Sequence, residues 1–268
     1  MKIVLDVMGG DNQPAEIIRG GAKFAKEFRQ EIIFIGQQHL IRDELRRHDF
    51  FKHSIYHTSE VIAMEDSPLE AIRSKKHSSL VRGIELVKKG LAQAFVSPGN
   101  TGAVMAASLL YLKRIETIER PGIALVLPTI VAGKKVIIID VGANVDCSPA
   151  NLVQFALMGQ IYAKEVLHIA NPSLGLLNIG HEEGKGNELA KETYQLLKKN
   201  NVNFLGNMES GDIFRGKADV VVCDGFTGNM VLKTAEHAAK FVKDLIKKNT
   251  NNPRAFLGTW LLGPTFSK

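Results

Sequence analysis

Five short glycine-bearing turns carry most of the residues that could do chemistry in this chain. They are DVMGGD (6–11), SPGNTG (97–102), DVGAN (140–144), NIGHEEGKGNE (178–188) and CDGFTGN (223–229). Each follows an apolar run, so each is placed at the carboxyl end of an expected strand. In an open parallel sheet, ligands bind outside the carboxyl ends of the strands. The pattern therefore predicts one crevice, with substrate-binding candidates Asp6, Gly9, Gly10, Asp11, Ser97, Gly99, Asn100, Thr101, Gly102, Asp140, Asn144, Asn187, Glu188, Asp224, Gly225, Thr227 and Gly228. The alternative is that the glycines only permit tight strand-to-helix turns.

These turns suit anions. SPGNTG leads into AVMAASLL and GFTGN into MVLKTAEHA. At a helix start several backbone N–H groups lack internal partners and the dipole favours negative charge. Asn100, Thr101, Thr227 and Asn229 serve equally well as plain helix caps. Lys185, set between Gly184 and Gly186, can carry a point charge toward a phosphate or a developing anion, or it is a solvated loop lysine. Glu188 also fits a first-turn carboxylate facing the helix dipole, and His181 with Glu182 an adjacent surface pair. The chain has no GxxxxGK[ST] loop, no GxGxxG fingerprint, no GxSxG elbow and no HExxH helix, which argues against the usual nucleotide sites, serine hydrolases and zinc proteases. Cys147 and Cys223 have no obvious base beside them, so a covalent acyl-enzyme is not indicated. One bound anion attacking a second substrate needs only positioning, positive charge and oxyanion donors.

The elements that must hold these turns are legible as an alternation. KIVLDVM, EIIFIG, SIYHT, AQAFVS, IALVLPT, KVIIIDVGA, LGLLNIG, VNFLGN and ADVVVCD read as strands. The unbroken apolarity of IIIDV and VVV predicts burial on both faces. AEIIRGGAKFAKEF, SSLVRGIELVKKG, GAVMAASLLYLKR, NLVQFALMGQIYAKEVL, NELAKETYQLLKK and MVLKTAEHAAKFVKDLIKK separate strands with apolar residues at helical spacing. The prediction is an α/β/α sandwich with a mainly parallel, doubly wound sheet. No repeat or long linker divides the chain. Residues 1–248 read as one α/β unit, with a two-lobed form left open, and 249–268 as a basic amphipathic tail beginning at NTNNP.

With 268 residues and 45% hydrophobic residues, a sizeable core is available. Two distant cysteines in no metal-ligand spacing suggest neither a disulfide framework nor a zinc site, and a reducing cytosol fits best. The first apolar run is too short for a signal peptide, and no segment reaches the roughly 20 apolar residues of a membrane-spanning helix. A formal charge of +6 favours anionic partners. Nucleic acid is the weakest of these, because aromatics are 7% and no nucleic-acid-binding motif is present.

Assembled in order, DVMGGD, SPLEAIRSKKHSSL, SPGNTGAVMAA, RPGIALVLPT, DVGANVDCSP, LLNIGHEEGKGNE, FLGNMESGD and ADVVVCDGFTGNMVLKT resemble the phosphate acyltransferases of bacterial phospholipid synthesis, the PlsX family, over almost the whole chain. The resemblance implies a fold related to phosphotransacetylases and to isocitrate and isopropylmalate dehydrogenases, working as a homodimer. It implies transfer of a long-chain acyl group from acyl carrier protein to inorganic phosphate, with no cofactor and no metal. The acyl phosphate would then serve a glycerol-3-phosphate acyltransferase at the membrane. On this resemblance Lys185 and Asn229 are the catalytic candidates, with backbone amides around Gly99–Gly102 and Gly225–Gly228 expected to bind phosphate.

Arg73, Lys75, Lys76 and Arg82 either form a solvated helix face or help dock the acidic carrier protein. The tail sets Phe256, Leu257, Trp260 and Leu261 on one possible helical face, entered at Pro253 and preceded by Lys240, Lys243, Lys247 and Lys248. It fits either peripheral binding to the anionic inner face of the cell membrane or packing within a dimer. Members of the family usually continue several dozen residues further, through a YGGA-like motif, so a shortened chain is expected here. Two rival functions follow: a phosphotransacetylase-like enzyme using acyl-CoA, and a non-catalytic, membrane-associated scaffold for lipid-synthesis enzymes.

Overall fold

A computed structural model describes residues 1–11, 14–48, 51–200 and 202–249. In chain order the elements are β1 (Lys2–Asp6), α1 (Pro14–Phe28), β2 (Glu31–Gly36), α2 (Gln38–Leu45), β3 (His53–His57), α3 (Pro68–Ser74), α4 (Ser79–Lys88), β4 (Ala94–Val96), α5 (Thr101–Tyr111), β5 (Ala124–Pro128), β6 (Lys135–Ile139), α6 (Pro149–Glu165), β7 (Leu174–Leu177), α7 (Glu188–Lys199), β8 (Phe204–Met208), α8 (Ser210–Arg215), β9 (Val220–Val222) and α9 (Gly225–Asn249). The tail residues singled out above, Pro253 to Leu261, lie outside the described residues.

The class is the expected α/β alternation, but the strands fall into two sheets. The chain divides into two compact units, Met1–Glu116 and a second beginning at Thr117. The first holds a parallel sheet of order β3-β2-β1-β4. The second holds β5-β6-β9-β7-β8, parallel except where β5 runs antiparallel to β6.

In the first unit, Ile3, Ile32 and Phe34 pack with Ile18, Ala22 and Ala25 of α1, while Val4, Ile33 and Ile35 face Leu86 of α4. This is the two-sided covering that parallel strands require. In the second unit the alternation of β6 does the same. Ile137 and Ile139 join Leu152, Phe155 and Ala156 of α6, and Val136 and Ile138 join Ile213 of α8. A fully buried Phe or Ile side chain is worth about 1.5–3 kcal/mol, so both faces hold the strand ends in place. Both sheets therefore present the carboxyl ends of their strands, and the glycine turns, as fixed edges.

Candidate active site

In the first unit two of the predicted turns pack on each other. Asp6, at the end of β1 and 1% exposed, accepts the Ser97 hydroxyl at 2.8 Å and the Met8 amide at 3.0 Å. Ser97 Oγ in turn accepts the Gly99 amide at 3.1 Å. A Cβ on Gly9 would lie 2.8 Å from Gly99 Cα, and one on Gly10, whose φ is +80°, would lie 2.5 Å from Pro98 O. These glycines are thus required by the contact between the two turns. Asp11 is exposed.

Asn100 caps α5 through Oδ1, which accepts the Ala103 amide at 3.0 Å. Its Nδ2 donates to Met64 O and Asp66 O, each at 3.0 Å. Its side chain is therefore committed to structure. What remains anion-competent is the exposed first turn of α5, where the amides of Thr101 and Gly102 have no acceptor one turn back. Gly102 also keeps the helix start close to Pro68, since a Cβ there would lie 2.8 Å from Pro68 Cγ.

In the second unit Asp140 organises the DVGAN turn. It is fully buried and accepts the amides of Ile123, Gly142, Ala143 and Asn144 at 2.8–3.2 Å, together with Asn144 Nδ2 at 2.8 Å. Asn144 also donates to Pro121 O at 2.9 Å. Both residues build the turn. The start of α9 lies directly on it: a Cβ on Gly228 would sit 1.9 Å from Asp140 O, and one on Gly225 2.6 Å from Asn144 O.

The expectation that the Gly225–Gly228 amides cradle phosphate meets a different arrangement. Gly225 N–H donates to Asn144 O at 2.7 Å, Thr227 N–H to Asp224 Oδ1 at 2.9 Å and Gly228 N–H to Asp224 O at 3.0 Å. Thr227 Oγ1 also bonds Asp224 Oδ2 at 2.7 Å. The positive end of this helix already faces its own carboxylate, which disfavours a second anion at those amides. Because Asp224 fills the capping role, Asn229 does not. Asn229 is exposed in the next turn, its side chain against Gly142, where an added Cβ would lie 3.6 Å from Asn229 Cγ. No hydrogen bond engages that amide among the described residues.

The NIGHEEGKGNE loop is anchored by its backbone and leaves its lysine exposed. Asn178 Nδ2 donates to Lys185 O at 3.0 Å and Asn207 Nδ2 to Glu182 O at 2.8 Å. The Lys185 side chain passes Gly180, where an added Cβ would be 3.3 Å from Lys185 Cγ. Lys185 forms no ion pair among the described residues. Asn187 caps α7, accepting the Ala190 amide at 2.9 Å, and exposed Glu188 pairs with Lys191 at 3.1 Å. These two are helix-end residues.

Sequence inspection missed the partner of His181. His181 Nε2 lies 2.5 Å from Asp212 Oδ2, Lys217 Nζ 2.5 Å from Asp212 Oδ1, and His181 Nδ1 3.7 Å from Glu209 Oε1. Burial works to raise the Asp212 pKa, but bonds from Lys217, His181 and the Glu209 amide outweigh it and hold the carboxyl at about 2. The anchor comes from ESGD, 28 or more residues downstream, and only the fold brings it to His181.

Neither cysteine is poised as a nucleophile. Burial pushes the Cys147 thiol up, and it pushes buried Cys223 up much further, whereas reactive thiols need the opposite shift. Beside the carboxyl ends of β7 and β9 the second unit has an open cavity of about 730 Å³, bordered by Asn178, Asn187, Asp224 and Thr227. A larger one, about 870 Å³, lies at the amino-terminal edge of the first sheet, around Lys2, Glu31 and Lys52. Open parallel sheets do not bind their ligands at that edge.

The fold is similar to that of solved phosphotransacetylases. A phosphotransacetylase from Streptococcus pyogenes superposes with a TM-score of 0.65 at 20% identity, covering 90% of this chain and 82% of that one. The fatty acid synthesis protein family matches across residues 1–268, and the chain belongs to that family. A phosphate acyltransferase of Heliobacterium modesticaldum is 50% identical over 268 residues, 98% of this chain and 79% of that protein. One from Geobacillus thermodenitrificans is 48% identical over 269 residues, 100% of this chain and 81% of that protein.

Proposed function

We propose that this protein is a phosphate acyltransferase that moves a long-chain acyl group from acyl carrier protein to inorganic phosphate, releasing acyl phosphate and free carrier protein. The observation that carries the reading is the identity of about half of all positions, over nearly the full chain, with proteins named phosphate acyltransferase. The chemistry needs little from the protein beyond placement. With a second pKa near ~6, phosphate is substantially dianionic at neutral pH. One of its oxygens forms a bond to the thioester carbonyl carbon, the carbonyl oxygen takes up charge, and the C–S bond then breaks with its electron pair leaving on sulfur. Expelling the thiolate is only a modest problem, because thiols have pKa values of about 8.5.

Lys185, an exposed ammonium without an ion-pair partner among the described residues, neutralises charge on phosphate or on the tetrahedral oxyanion. Asn229 donates a hydrogen bond to one of these anions. The first turn of α5 supplies amides for an anion. The raised Cys147 and Cys223 thiols favour direct transfer over an acyl-cysteine intermediate.

Carrier docking rests on Arg73 and Lys76, which are exposed. Lys75 is tied to Asp66 and Arg82 to Glu85 at 2.6 Å, which removes both from the free positive surface. We assign the product to a glycerol-3-phosphate acyltransferase, and place the enzyme as a homodimer at the anionic inner face of the membrane. The membrane contact is assigned to the basic tail on its sequence, where Phe256, Leu257, Trp260 and Leu261 follow Lys247 and Lys248; no helix among the described residues is long and apolar enough to cross a membrane. The test is acyl-phosphate production from palmitoyl-carrier protein and from palmitoyl-CoA, with and without phosphate. Phosphate-dependent product from the carrier protein supports the reading. Product from CoA alone assigns a phosphotransacetylase-like enzyme, and no product from either leaves a scaffold.

A further inference from the structure

The cavity beside β7 and β9 has a lining suited to one kind of occupant. One wall is apolar, built by Leu189 and Val231 over the buried Leu152, Leu176 and Leu177, with Ile179 at the mouth; the other is polar, with Asn178, Ser210 and Thr227. Among the described residues its charged lining groups are Glu209 and Asp224, with no lysine or arginine. Two carboxylates without a cation disfavour a phosphate or sulfate held within it, so a charged end group belongs at the mouth. The apolar wall of Leu189, Val231 and Ile179 instead favours a neutral hydrocarbon, and about 730 Å³ lies within the usual range for ligand pockets of roughly 300–1,000 Å³.

Placement of the opening agrees with this. Gly186 and Asn187, next to Lys185, form one border, and Asp224 and Thr227, in the turn before Asn229, form another. Ile179, also on the lining, is 81% exposed. An isoleucine so open to water at the mouth of the cavity, beside its apolar wall, gains cover when a chain passes over it.

We infer that this cavity holds the hydrocarbon tail of the acyl donor and that Leu189 and Val231, on its half-buried walls, set the chain length accepted. The inference rests on the acyltransfer reading above and adds where the acyl group goes. The carboxyl end of the tail then emerges between the Lys185 loop and the start of α9, which places the carbonyl carbon on the side where those two candidates lie.

The experiment uses the whole chain and a donor series of saturated acyl-carrier proteins from butyryl to stearoyl. At about 0.8 kcal/mol per buried methylene, kcat/KM should rise about fourfold with each added methylene until the cavity is full. Val231→Trp and Leu189→Trp each fill part of it, so the optimum should move to shorter chains and the stearoyl-to-butyryl ratio of kcat/KM should fall about 100-fold. A chain-length profile parallel to wild type in both folded variants overturns the inference. Val231→Ala, which removes volume and keeps the wall apolar, should lengthen the optimum; an unchanged optimum counts against the inference. Fluorescence of cis-parinarate bound to the wild-type chain, displaced by palmitate, gives a readout that does not need catalysis. Displacement that is weakened by Val231→Trp supports the cavity even if no donor yields acyl phosphate, in which case the acyltransfer reading alone fails. Absence of parinarate binding overturns the cavity assignment.

Discussion

Replacing Asp212 with Asn tests the frame that holds the Lys185 loop. Asp212 is 1% exposed and accepts from His181 Nε2 and Lys217 Nζ at 2.5 Å each and from the Glu209 amide at 3.2 Å. Its carboxyl stands at about 2 against an ordinary 3.8. Each tenfold change in proton affinity is worth about 1.4 kcal/mol, so the ionised group contributes about 2 kcal/mol of folding stability at neutral pH. The folded pKa is the lowered one. The contribution is therefore complete above the unfolded value and is lost as pH falls through the folded value, with about half gone near pH 3.

The Asn variant should lose about 2–3 kcal/mol near pH 7, because Lys217, half exposed, can return to water and avoid the larger cost of a stranded buried charge. Urea unfolding followed by circular dichroism, near pH 7, 5 and 3, measures this penalty as a shift in midpoint. The penalty should stay level between about pH 7 and 5 and shrink by about half near pH 3. A penalty under about 0.5 kcal/mol near neutrality, the range of ordinary surface substitutions, would refute the reasoning. So would a penalty that does not change between the two lower pH values.

Other substitutions separate chemistry from architecture. Lys185→Ala should lower acyl-phosphate turnover by about 100-fold or more while moving stability by less than about 0.5 kcal/mol; normal turnover in a steady-state assay would remove it from the mechanism. Cys147→Ala should retain phosphate-dependent turnover, and loss of activity in a folded variant would revive a covalent route. Gly228→Ala drives a methyl against Asp140 O and should cost about 3 kcal/mol, read as a fall in melting temperature of roughly 6–12 °C; an unchanged melt would show that the turn yields easily. Arg73→Glu with Lys76→Glu should raise KM for the carrier protein more at low salt than at high salt, and an unchanged KM would leave these residues as a solvated face.

What the sequence disclosed follows from how local each signal is. All nine strands among the described residues overlap runs picked out in the sequence; β2, β6, β7 and β9 are the plainest, because they are buried on both faces and need no alternation to be seen, whereas β3, HSIYH, is largely exposed. The helices α2, α3 and α8, of 8, 7 and 6 residues, are too short for a 3.6-residue period to declare itself. The division after Glu116 leaves no mark, since it is defined by which strands pair, and KRIETIER reads like any helix exit. The antiparallel β5 is likewise visible only in its pairing with β6. The turns were recognisable as turns, but composition could not assign their side chains. Asn100, Asp140, Asn144 and Asp224 spend their polar atoms on backbone and side chains; for Asn100 and Asn144 some of the partners lie on other loops. Those commitments determine what is left for a substrate. Once Asp224 occupies the start of α9, the Asn229 amide is not needed for capping; with Asn178 and Asn207 holding the loop by its carbonyls, the Lys185 side chain stays exposed. Lys185 and Asn229, the two residues singled out by resemblance, make no side-chain hydrogen bond or ion pair among the described residues.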